Sequence, residues 1–333
     1  MKKLLICFMV MIMSVLPFGL MGCNKKDDST IRLSEVTHSI FYAPLYVAIN
    51  EGYFEENGLK IKLSNGGGAD KVMTAITSKS ADIGLMGPEA TIYCHVNGQK
   101  DYPIIFGQLT QRDGSFLVAR NAQPDFEWTD LKGKRVLAGR AGGVPAMSLQ
   151  YAVEKSGLTL NDLNFDTTVA FDLMASVFES DKSVDYTTLF EPTASQFVLE
   201  GKGYVVAAVG EASGEVAFTS FSASKSYIKN NPDKIEKFLK AIVKGYKFIC
   251  DNSPETVAKS LAPSFVGTSE LLIAESVKRY LSINAWCPTP LMSKTAFENL
   301  QNIMENAGTL DSRADYDKAV DNTYAQKVLN SLA

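Results

Sequence analysis

The chain has 333 residues, of which 46% are hydrophobic and 21% are charged, and its formal net charge at pH 7 is −4. This composition is typical of a folded globular protein, and the length suits two domains of ordinary size. A net negative chain without a basic block argues against nucleic acid as a partner. Only two histidines occur, which excludes sites built on several histidine ligands, and we expect neither a metal nor a cofactor.

The first 23 residues have the layout of a secretory signal peptide. A short positive start leads into an apolar run from Leu4 to Leu20, and the polar segment Asn24–Asp28 follows Cys23 directly. The ending Leu20-Met21-Gly22-Cys23 resembles a bacterial lipobox, in which the cysteine is lipidated and becomes the new N-terminus. We therefore predict a lipoprotein signal peptide over residues 1–22, an acylated Cys23 that carries lipid such as palmitate, and a polar tether over residues 23–30.

An uncleaved membrane anchor is the alternative, because the apolar run is near the lower limit of about 20 residues for a spanning helix. Both interpretations place the rest of the chain outside the cytoplasm. No later segment is long and apolar enough to cross a membrane, so we expect an extracytoplasmic protein held at the cell membrane by its N-terminal lipid.

From residue 31 onward the chain alternates between predicted strands and helices. Alternating apolar positions predict strands, and apolar positions at helical spacing predict helices. The first unit contains predicted strands over residues 31–36, 59–63, 82–86 and 103–109, with helices over residues 43–50, 69–78 and 89–96. This order predicts a mostly parallel sheet that helices cover on both faces.

The same alternation restarts after Gly114. Strands are predicted over residues 116–119, within 131–138, and over 165–169, 186–190 and 204–209, and helices over 145–156, 173–178 and 193–199. One more strand, over residues 217–223, precedes a helical tail over residues 233–250, 254–261, 269–280, 294–307 and 316–329.

These elements predict an α/β protein with two lobes and a ligand cleft between them. We place the first part of lobe 1 at residues 31–113, lobe 2 at 114–216, and the return to lobe 1, with the helical C-terminal part, at 217–333. In open α/β sheets, ligands bind at the carboxyl ends of the strands, and two lobes that face each other in this way form a clamp that closes by hinge motion.

Three segments, in this order, resemble a known family. They are Phe41–Ala48 with the following Glu51–Phe54, then Ser80–Gly84, then Leu131–Val136. They are similar to the solute-binding proteins of ABC transporters for nitrate, sulfonates, taurine and thiamine-pyrimidine precursors. The resemblance covers about residues 31–249. It implies the bilobed periplasmic-binding-protein type II fold, a small-molecule solute, the transmembrane permease subunits of an ABC importer as partners, and a monomer.

One relative in that family is an enzyme that makes a thiamine pyrimidine and carries a cysteine-rich motif, and no such motif occurs here. The sequence also lacks a recognisable Ser-His-Asp set or nucleophile elbow. We therefore predict a binding protein without catalytic residues. An enzyme on the same fold, with Glu89, Asp113 or Glu191 as general base, and an extracytoplasmic sensor or adhesion module are the competing hypotheses.

Candidate ligand-binding residues follow the predicted strands of the first unit. The loop after the first strand offers His38, Ser39 and Tyr42, which supply an imidazole, a hydroxyl and a ring of the kind that lines small-molecule clefts. The alternative for His38 is a solvated loop residue. Gly67 lies in a glycine-rich turn before a helix, where backbone N–H groups favour a ligand oxygen, although a plain turn fits equally well.

Two further loops of the first unit carry candidates. Glu89, two residues after Gly87, is either a favourable first-turn acid or an acceptor for the N–H groups of a ligand. Thr110 and Gln111 lie at the first crossing between the lobes and are neutral hydrogen-bond partners for a ligand. We include all four in the predicted ligand site.

The loops of the second unit offer a different set. Arg140, Gly142 and Gly143 precede a helix, and a guanidinium with backbone donors would hold an oxyanion, unless Arg140 is simply solvated. Phe171 and Phe190 end the next two predicted strands, and their rings could stack on a flat ligand. Glu191 could accept from ring N–H or amino groups, with a helix N-terminal acid as the alternative.

These candidates disagree about the charge of the solute. The basic residue and the glycine loops favour an anion such as a sulfonate or nitrate, whereas the acids and rings favour an aminopyrimidine or another flat heterocycle. Acids and aromatic residues outnumber basic residues at the predicted cleft positions. We therefore favour a solute that resembles a thiamine pyrimidine.

Three cysteines remain after Cys7 and Cys23, namely Cys94, Cys250 and Cys287. An odd, scattered set does not form a disulfide framework. We expect free thiols, and a single Cys94–Cys250 or Cys250–Cys287 bridge is the alternative.

Overall fold

The computed structural model describes residues 29–332. The predicted signal peptide, the predicted lipidation site Cys23 and most of the predicted tether lie outside these residues. Within them, none of the helices combines the length and the apolar character that a bilayer crossing requires.

The first sheet contains five strands, and four of them point the same way. Its strands are β1 (Thr30–Glu35), β2 (Lys60–Asn65), β3 (Ile83–Met86), β4 (Pro103–Thr110) and, far along the chain, β10 (Thr219–Ser224). Their order is β2-β1-β3-β10-β4. Strand β1 pairs in parallel with both β2 and β3, and β10 pairs antiparallel with both β3 and β4.

The second sheet repeats this topology. It is formed by the residues between the two crossings, which are the points where the chain passes from one sheet to the other. Its strands are β5 (Phe116–Ala119), β6 (Arg135–Leu137), β7 (Asn164–Asp166), β8 (Tyr186–Leu189) and β9 (Tyr204–Ala208), in the order β7-β6-β8-β5-β9. Here β5 runs against the other four. In each sheet, the strand that runs opposite to the other four is the first one that the chain forms after it crosses from the other sheet. This strand is β10 in the first sheet and β5 in the second.

The predicted fold class, two mixed and mostly parallel sheets flanked by helices, is confirmed. The lobe boundaries after residues 113 and 216 remain predictions. At each boundary, the strand before it and the strand after it belong to different sheets.

Helices flank both sheets. Between the strands lie α1 (Ala43–Asn50), α2 (Tyr53–Glu56), α3 (Ala69–Thr77), α4 (Glu89–Val96), α5 (Val144–Lys155), α6 (Met174–Ser180), α7 (Thr193–Leu199) and α8 (Val209–Ser213). After β10 follow α9 (Lys225–Asn230), α10 (Pro232–Asp251), α11 (Pro254–Leu261), α12 (Glu270–Ser282), α13 (Lys294–Asn306), α14 (Tyr316–Ala319) and α15 (Thr323–Leu332). Short 3-10 turns cover Ile40–Tyr42, Trp128–Leu131, Leu160–Asp162, Phe171–Leu173 and Ala262–Ser264.

The prediction of one continuous helix over residues 316–329 is wrong, because the structure divides this segment into α14 and α15. Val320, between them, forms a parallel bridge with Ile105 of β4. The Asn322 side chain donates to the carbonyl oxygen of Met292. These contacts extend the backbone at the break, and a pattern of apolar spacing carries no sign of them.

An aromatic cluster joins the two sheets beside the crossings, and we call it the junction cluster. It consists of Phe41, Phe116, Phe190, Phe218 and Tyr280. The Phe41 ring centroid lies 5.4 Å from that of Phe190, 5.5 Å from Phe218 and 5.2 Å from Tyr280, and Tyr280 lies 5.9 Å from Phe116. Aromatic pairs at such separations add about 0.5–1.5 kcal/mol each beyond their burial. Phe116 and Phe190 belong to the second sheet or its loops, so the cluster fixes the sheets to each other.

Gly114, at the first crossing, leaves no space for a side chain against this cluster. A Cβ atom there would lie 2.3 Å from the Phe41 ring. We expect Gly114→Ala to lower the free energy of unfolding by about 1–3 kcal/mol, as overpacking does. Phe41→Leu removes the outer ring atoms of this clash, Cε2 and Cζ, so the loss in the double variant should be about 1 kcal/mol smaller than the sum of the single losses. Urea denaturation measures all three, and strictly additive losses would contradict this packing.

Candidate functional site

A cavity lies between the two sheets, among the loops that follow their parallel strands. Its volume is about 80 Å³, on a scale where one water molecule needs roughly 10–15 Å³. The residues that line it are Val36, Thr37, Tyr42, Gly68, Ala69, Gly87, Glu89, Gly139, Arg140, Gly143, Val144, Pro145, Ala146, Phe171, Phe190, Phe218 and Thr219. This is where two facing α/β sheets are expected to bind a ligand. The volume suits a small solute.

Four aromatic rings form much of the cavity wall. Tyr42 follows the first strand and Phe218 lies on the second crossing, whereas Phe171 and Phe190 follow strands of the second sheet. The Phe171 and Phe190 ring centroids are 5.5 Å apart. Burial raises the pKa of Tyr42 above its ordinary value, so its phenol stays protonated. The cavity therefore offers flat apolar faces from both sheets.

Glu89 brings a carboxyl group into this apolar wall. It is the first residue of α4, it is only 2% exposed, and its Oε2 finds no hydrogen-bond partner among residues 29–332. Burial raises the pKa of Glu89 to about 7, although Arg140 and the first N–H groups of α4 oppose this rise. The carboxyl group folds back over the preceding turn, since a Cβ atom on Gly87 would lie 1.9 Å from Oε2.

Arg140 is the basic residue of the cavity lining, and it extends toward solvent. Its side chain is 49% exposed, and its Nε lies 4.0 Å from Oδ1 of Asp70 at the start of α3. An ion pair of this length and exposure contributes about 0–1 kcal/mol. Arg140 thus remains free to reorient toward a ligand.

Polar contacts close the cleft on the side away from the junction cluster, and we call them the mouth contacts. They join Asp70 to Arg140, Tyr93 Oη to the carbonyl oxygen of Gly142 (3.3 Å), Thr309 Oγ1 to Met147 Sδ (3.2 Å), and Asn306 to Glu154. Each pair joins an element of the first sheet's side to an element of the second sheet's side. The structure is therefore that of a closed cleft.

Six of the predicted ligand residues line the cavity: Tyr42, Gly87, Glu89, Arg140, Gly143 and Phe171. Two others adjoin it, because Gly67 precedes the lining residue Gly68, and the carbonyl of Gly142 takes part in a mouth contact. The ring of Phe190, which the sequence also offers for stacking, lines the cavity as well, whereas sequence reasoning left out Phe218 and Thr219, among others. No sequence motif marks the crossing residues Phe218 and Thr219.

His38 lies outside the cavity and joins the first unit to the C-terminal helices. Its Nε2 is 2.6 Å from the carbonyl oxygen of Ser264, and its Nδ1 is 3.1 Å from Oε1 of Glu35. Tyr46 donates its hydroxyl proton to the other Glu35 oxygen at 2.5 Å. Both ring nitrogens thus face acceptors. The hydrogen bond with Glu35 raises the pKa of His38 above its ordinary value.

Ser39 and Glu191 also lie outside the cavity lining, in a buried network near the junction cluster. Ser39 Oγ donates to the carbonyl oxygen of Glu191 at 2.7 Å. The Glu191 carboxylate accepts from Arg279 Nη1 at 2.9 Å and from both the backbone N–H and the hydroxyl of Ser195. Breaking such a buried pair typically costs about 3–5 kcal/mol. Glu191 therefore fastens a loop of the second sheet to α12.

Thr110 and Gln111 hold the chain between α12 and α13 against the end of β4. Thr110 is buried and forms an antiparallel bridge with Trp286. The backbone N–H of Gln111 donates to Ala285 at 2.9 Å, and its side-chain amide donates to the carbonyl oxygen of Asn284 at 3.1 Å. Neither residue lines the cavity.

The three cysteines within residues 29–332 are free in this structure. Cys287 is buried, Cys94 is half-buried and Cys250 is exposed. In the same part of the chain, no group of three His, Cys, Asp or Glu side chains is arranged to hold a metal ion.

A wider groove, of about 870 Å³, opens on the outer surface beside Tyr102, Lys225 and Tyr324. Its lining residues come from β4 and the preceding Tyr102, from α9, and from the C-terminal segment around α14 and α15. The second sheet contributes no residue to it. The cavity between the sheets is therefore the candidate ligand site.

Comparison with known proteins gives a family match over most of the described chain. A family model described as NMT1/THI5 like matches residues 40–256. A protein of Bacillus subtilis (strain 168), provisionally named as binding protein YtlA, is 40% identical over 315 residues, which are 94% of each chain. The 4-amino-5-hydroxymethyl-2-methylpyrimidine phosphate synthase of Aspergillus parasiticus is 24% identical over 221 residues, 63% of each chain.

Among solved structures, the alkanesulfonate-binding protein SsuA of Xanthomonas axonopodis pv. citri, bound to MOPS, shares the fold. The TM-score is 0.71 at 17% sequence identity, and the match covers 88% of this chain and 98% of that one. At this identity the likeness shows the architecture alone.

The two histidines should titrate on opposite sides of the ordinary histidine pKa of about 6.5. The raised pKa of His38 reflects its bond to Glu35, and burial lowers the pKa of His95. The His38 contribution to stability is then fully present below about pH 6.5 and is lost as the pH rises through its folded-state pKa. NMR titration of the ring protons measures both values, and His38→Gln should cost more stability at pH 6 than at pH 9. A His38 midpoint below 6.5 would contradict the geometry.

Proposed function

The chain belongs to the NMT1/THI5-like family, and on that premise we propose that it is the solute-binding component of an ABC importer. It captures a small solute between two lobes outside the cytoplasm and delivers the solute to the membrane permease subunits. The main support for this proposal is the small cavity between the strand ends of the two sheets, across which the mouth contacts join the two sides of the cleft. The binding role in the name of the Bacillus subtilis relative supports it.

The solute we propose is a flat heterocycle that resembles a thiamine pyrimidine. Four rings, two from each side of the cleft, suit stacking on a planar molecule. Glu89 suits the N–H groups of an amino-substituted ring. The synthase among the relatives is named for a product of this chemical class, and this agrees with the preference.

We propose binding without chemical turnover. The titratable side chains that line the cavity are Tyr42, Glu89 and Arg140, and recognition by hydrogen bonds uses all three without a nucleophile. The proposal includes a monomer with a lipid anchor at Cys23, shortly before β1 begins, because an anchored receptor stays beside its permease.

A sulfonate or nitrate-type anion is the second candidate, and Arg140 is the observation that favours it. Arg140 lies beside Gly143, the N-cap of the twelve-residue helix α5, where backbone N–H groups favour negative charge. The shared fold with a sulfonate-binding protein agrees with this candidate. The buried carboxyl group of Glu89 in the same cavity opposes it.

Ligand-induced stabilisation separates these candidates. We expect 4-amino-5-hydroxymethyl-2-methylpyrimidine to raise the melting temperature of the mature protein, since a ligand at 100 times its Kd adds about 2.7 kcal/mol to the free energy of unfolding. MOPS and nitrate at the same concentration should produce no comparable shift. A shift with the anions alone would favour the second candidate, and no shift with any small solute would count against the binding role.

Phe171→Ala tests the aromatic wall. Removing this ring should weaken binding of the pyrimidine by roughly 10- to 100-fold, because stacked and buried apolar area is lost. The matched control is Phe126→Ala: Phe126 is also half-buried in the second unit, but it packs on Trp128 and Tyr186 away from the cavity. Isothermal titration calorimetry compares the two, and equal losses in both variants would contradict a role for the cavity wall.

A further inference from the structure

We propose that Glu89 selects the solute, by pairing with an edge that carries an amino group beside a ring nitrogen and by rejecting solutes that present only acceptor oxygens there. This inference rests on the proposed solute-binding function and deepens it. It makes Glu89 the residue that decides between the two candidate solute classes.

Glu89 differs from two other buried glutamates in its hydrogen bonding. Glu35 accepts from Tyr46 and His38, and Glu191 accepts from Arg279 and Ser195. Oε2 of Glu89 has no partner among residues 29–332, although it is buried and the residue lines the cavity. A buried polar atom without a partner costs free energy, most of all when it belongs to a carboxyl group. A donor that arrives in the cavity would supply the missing hydrogen bond.

Asp113 also has an unpartnered oxygen, Oδ2, in the described part of the chain. Its other oxygen accepts from the backbone N–H of Ser115 at 2.6 Å, and Asp113 lies at the crossing, outside the cavity lining. Glu89 is therefore the carboxyl group that a solute in this cavity would meet.

Charged and titratable groups approach Glu89 from four elements. Arg140 comes from the loop before α5, Asp70 from α3, Tyr93 from its own helix and Tyr42 from the turn after β1. Arg140 is the cation of this set, and it lies near Asp70 without a hydrogen bond to Glu89. Arg140 therefore offsets part of the Glu89 charge from a distance, and a hydrogen bond to Oε2 is left for the solute to supply.

A carboxyl group can pair with an aminopyrimidine edge in either protonation state. An ionised carboxylate accepts two hydrogen bonds from an amino group and an adjacent protonated ring nitrogen. A neutral carboxyl group accepts from the amino group and donates its own proton to the unprotonated ring nitrogen. With a pKa raised to about 7, Glu89 holds both forms near neutral pH. A sulfonate or nitrate offers acceptors alone, so it would meet like charge on the ionised form and could accept only the single proton of the neutral form.

Gly87 supports this arrangement, because its missing side chain provides the space for Oε2. A Cβ atom at this position would lie 1.9 Å from Oε2 and 2.7 Å from the carboxyl carbon. Gly87→Ala therefore displaces the Glu89 carboxyl group without changing its chemistry. This gives a second, independent variant for the same test.

The experiment is calorimetry on the mature protein with two probes, 4-amino-5-hydroxymethyl-2-methylpyrimidine and the analogue that has hydrogen in place of the amino group. The wild type should bind the first probe roughly 100-fold more tightly than the second, as expected for a hydrogen bond to a charged group. Glu89→Leu should lose this discrimination. Glu89→Gln, which keeps one acceptor and one donor, should retain most of it, and Gly87→Ala should weaken binding of the amino probe.

The melting temperature without ligand separates the proposed role of Glu89 from a merely structural one, because the two roles predict changes of opposite sign when Glu89 is replaced by leucine. Glu89→Leu removes an unpartnered buried carboxyl group, so its melting temperature should rise above that of the wild type. Glu191→Leu is the matched control, and its melting temperature should fall because its carboxylate has partners. A fall with Glu89→Leu would overturn the inference.

The remaining outcomes separate the inference from the function on which it rests. If the wild type binds the amino probe and Glu89→Leu binds it equally well, selection by Glu89 is wrong and the binding role stands. Tighter binding of MOPS than of the amino probe by the wild type would likewise overturn selection by Glu89 and leave the binding role in place. If the wild type binds no small solute, the proposed function and the inference both fail.

Discussion

The junction cluster is the contact on which the cleft depends. Phe41 packs against rings from both sides of the molecule, and Gly114 lets the chain cross directly beside it. Across the cavity the mouth contacts are polar and partly exposed, with a 4.0 Å separation between Asp70 and Arg140. Buried apolar packing contributes strongly to stability, whereas exposed ion pairs contribute little. We infer that the clamp pivots at the junction cluster and opens at the mouth, as hinge-closing proteins do.

The buried glutamates show how the fold separates structural from functional acids. Glu35 pairs with His38, and Glu191 pairs with Arg279 of α12, so their carboxylates stabilise contacts between elements. Glu89 has neither such a partner nor access to water, and it lies where a solute would be enclosed. A carboxyl group in this state is unfavourable for stability alone, which is common for residues that are kept for binding.

The sequence was sufficient to predict the two α/β units because strand–helix alternation is a local signal. It also located the loops that follow the strands. Tyr42, Glu89 and Phe171 were predicted as ligand residues on that basis, and all three line the cavity. His38 and Glu191 were proposed on the same grounds, yet they bond to Ser264 and Arg279, which lie far along the chain. No local pattern indicates such partners. The break between α14 and α15 escaped prediction for the same reason, since a bridge to a residue of β4 sets it.

A crystal structure of the mature protein with 4-amino-5-hydroxymethyl-2-methylpyrimidine tests the central claim most directly. We expect the ring to lie between the aromatic walls of the closed cleft, with its amino nitrogen about 2.7–3.2 Å from Oε2 of Glu89. A pyrimidine bound outside the cavity, or a cavity that holds the ring with Glu89 still unpartnered, would contradict this claim.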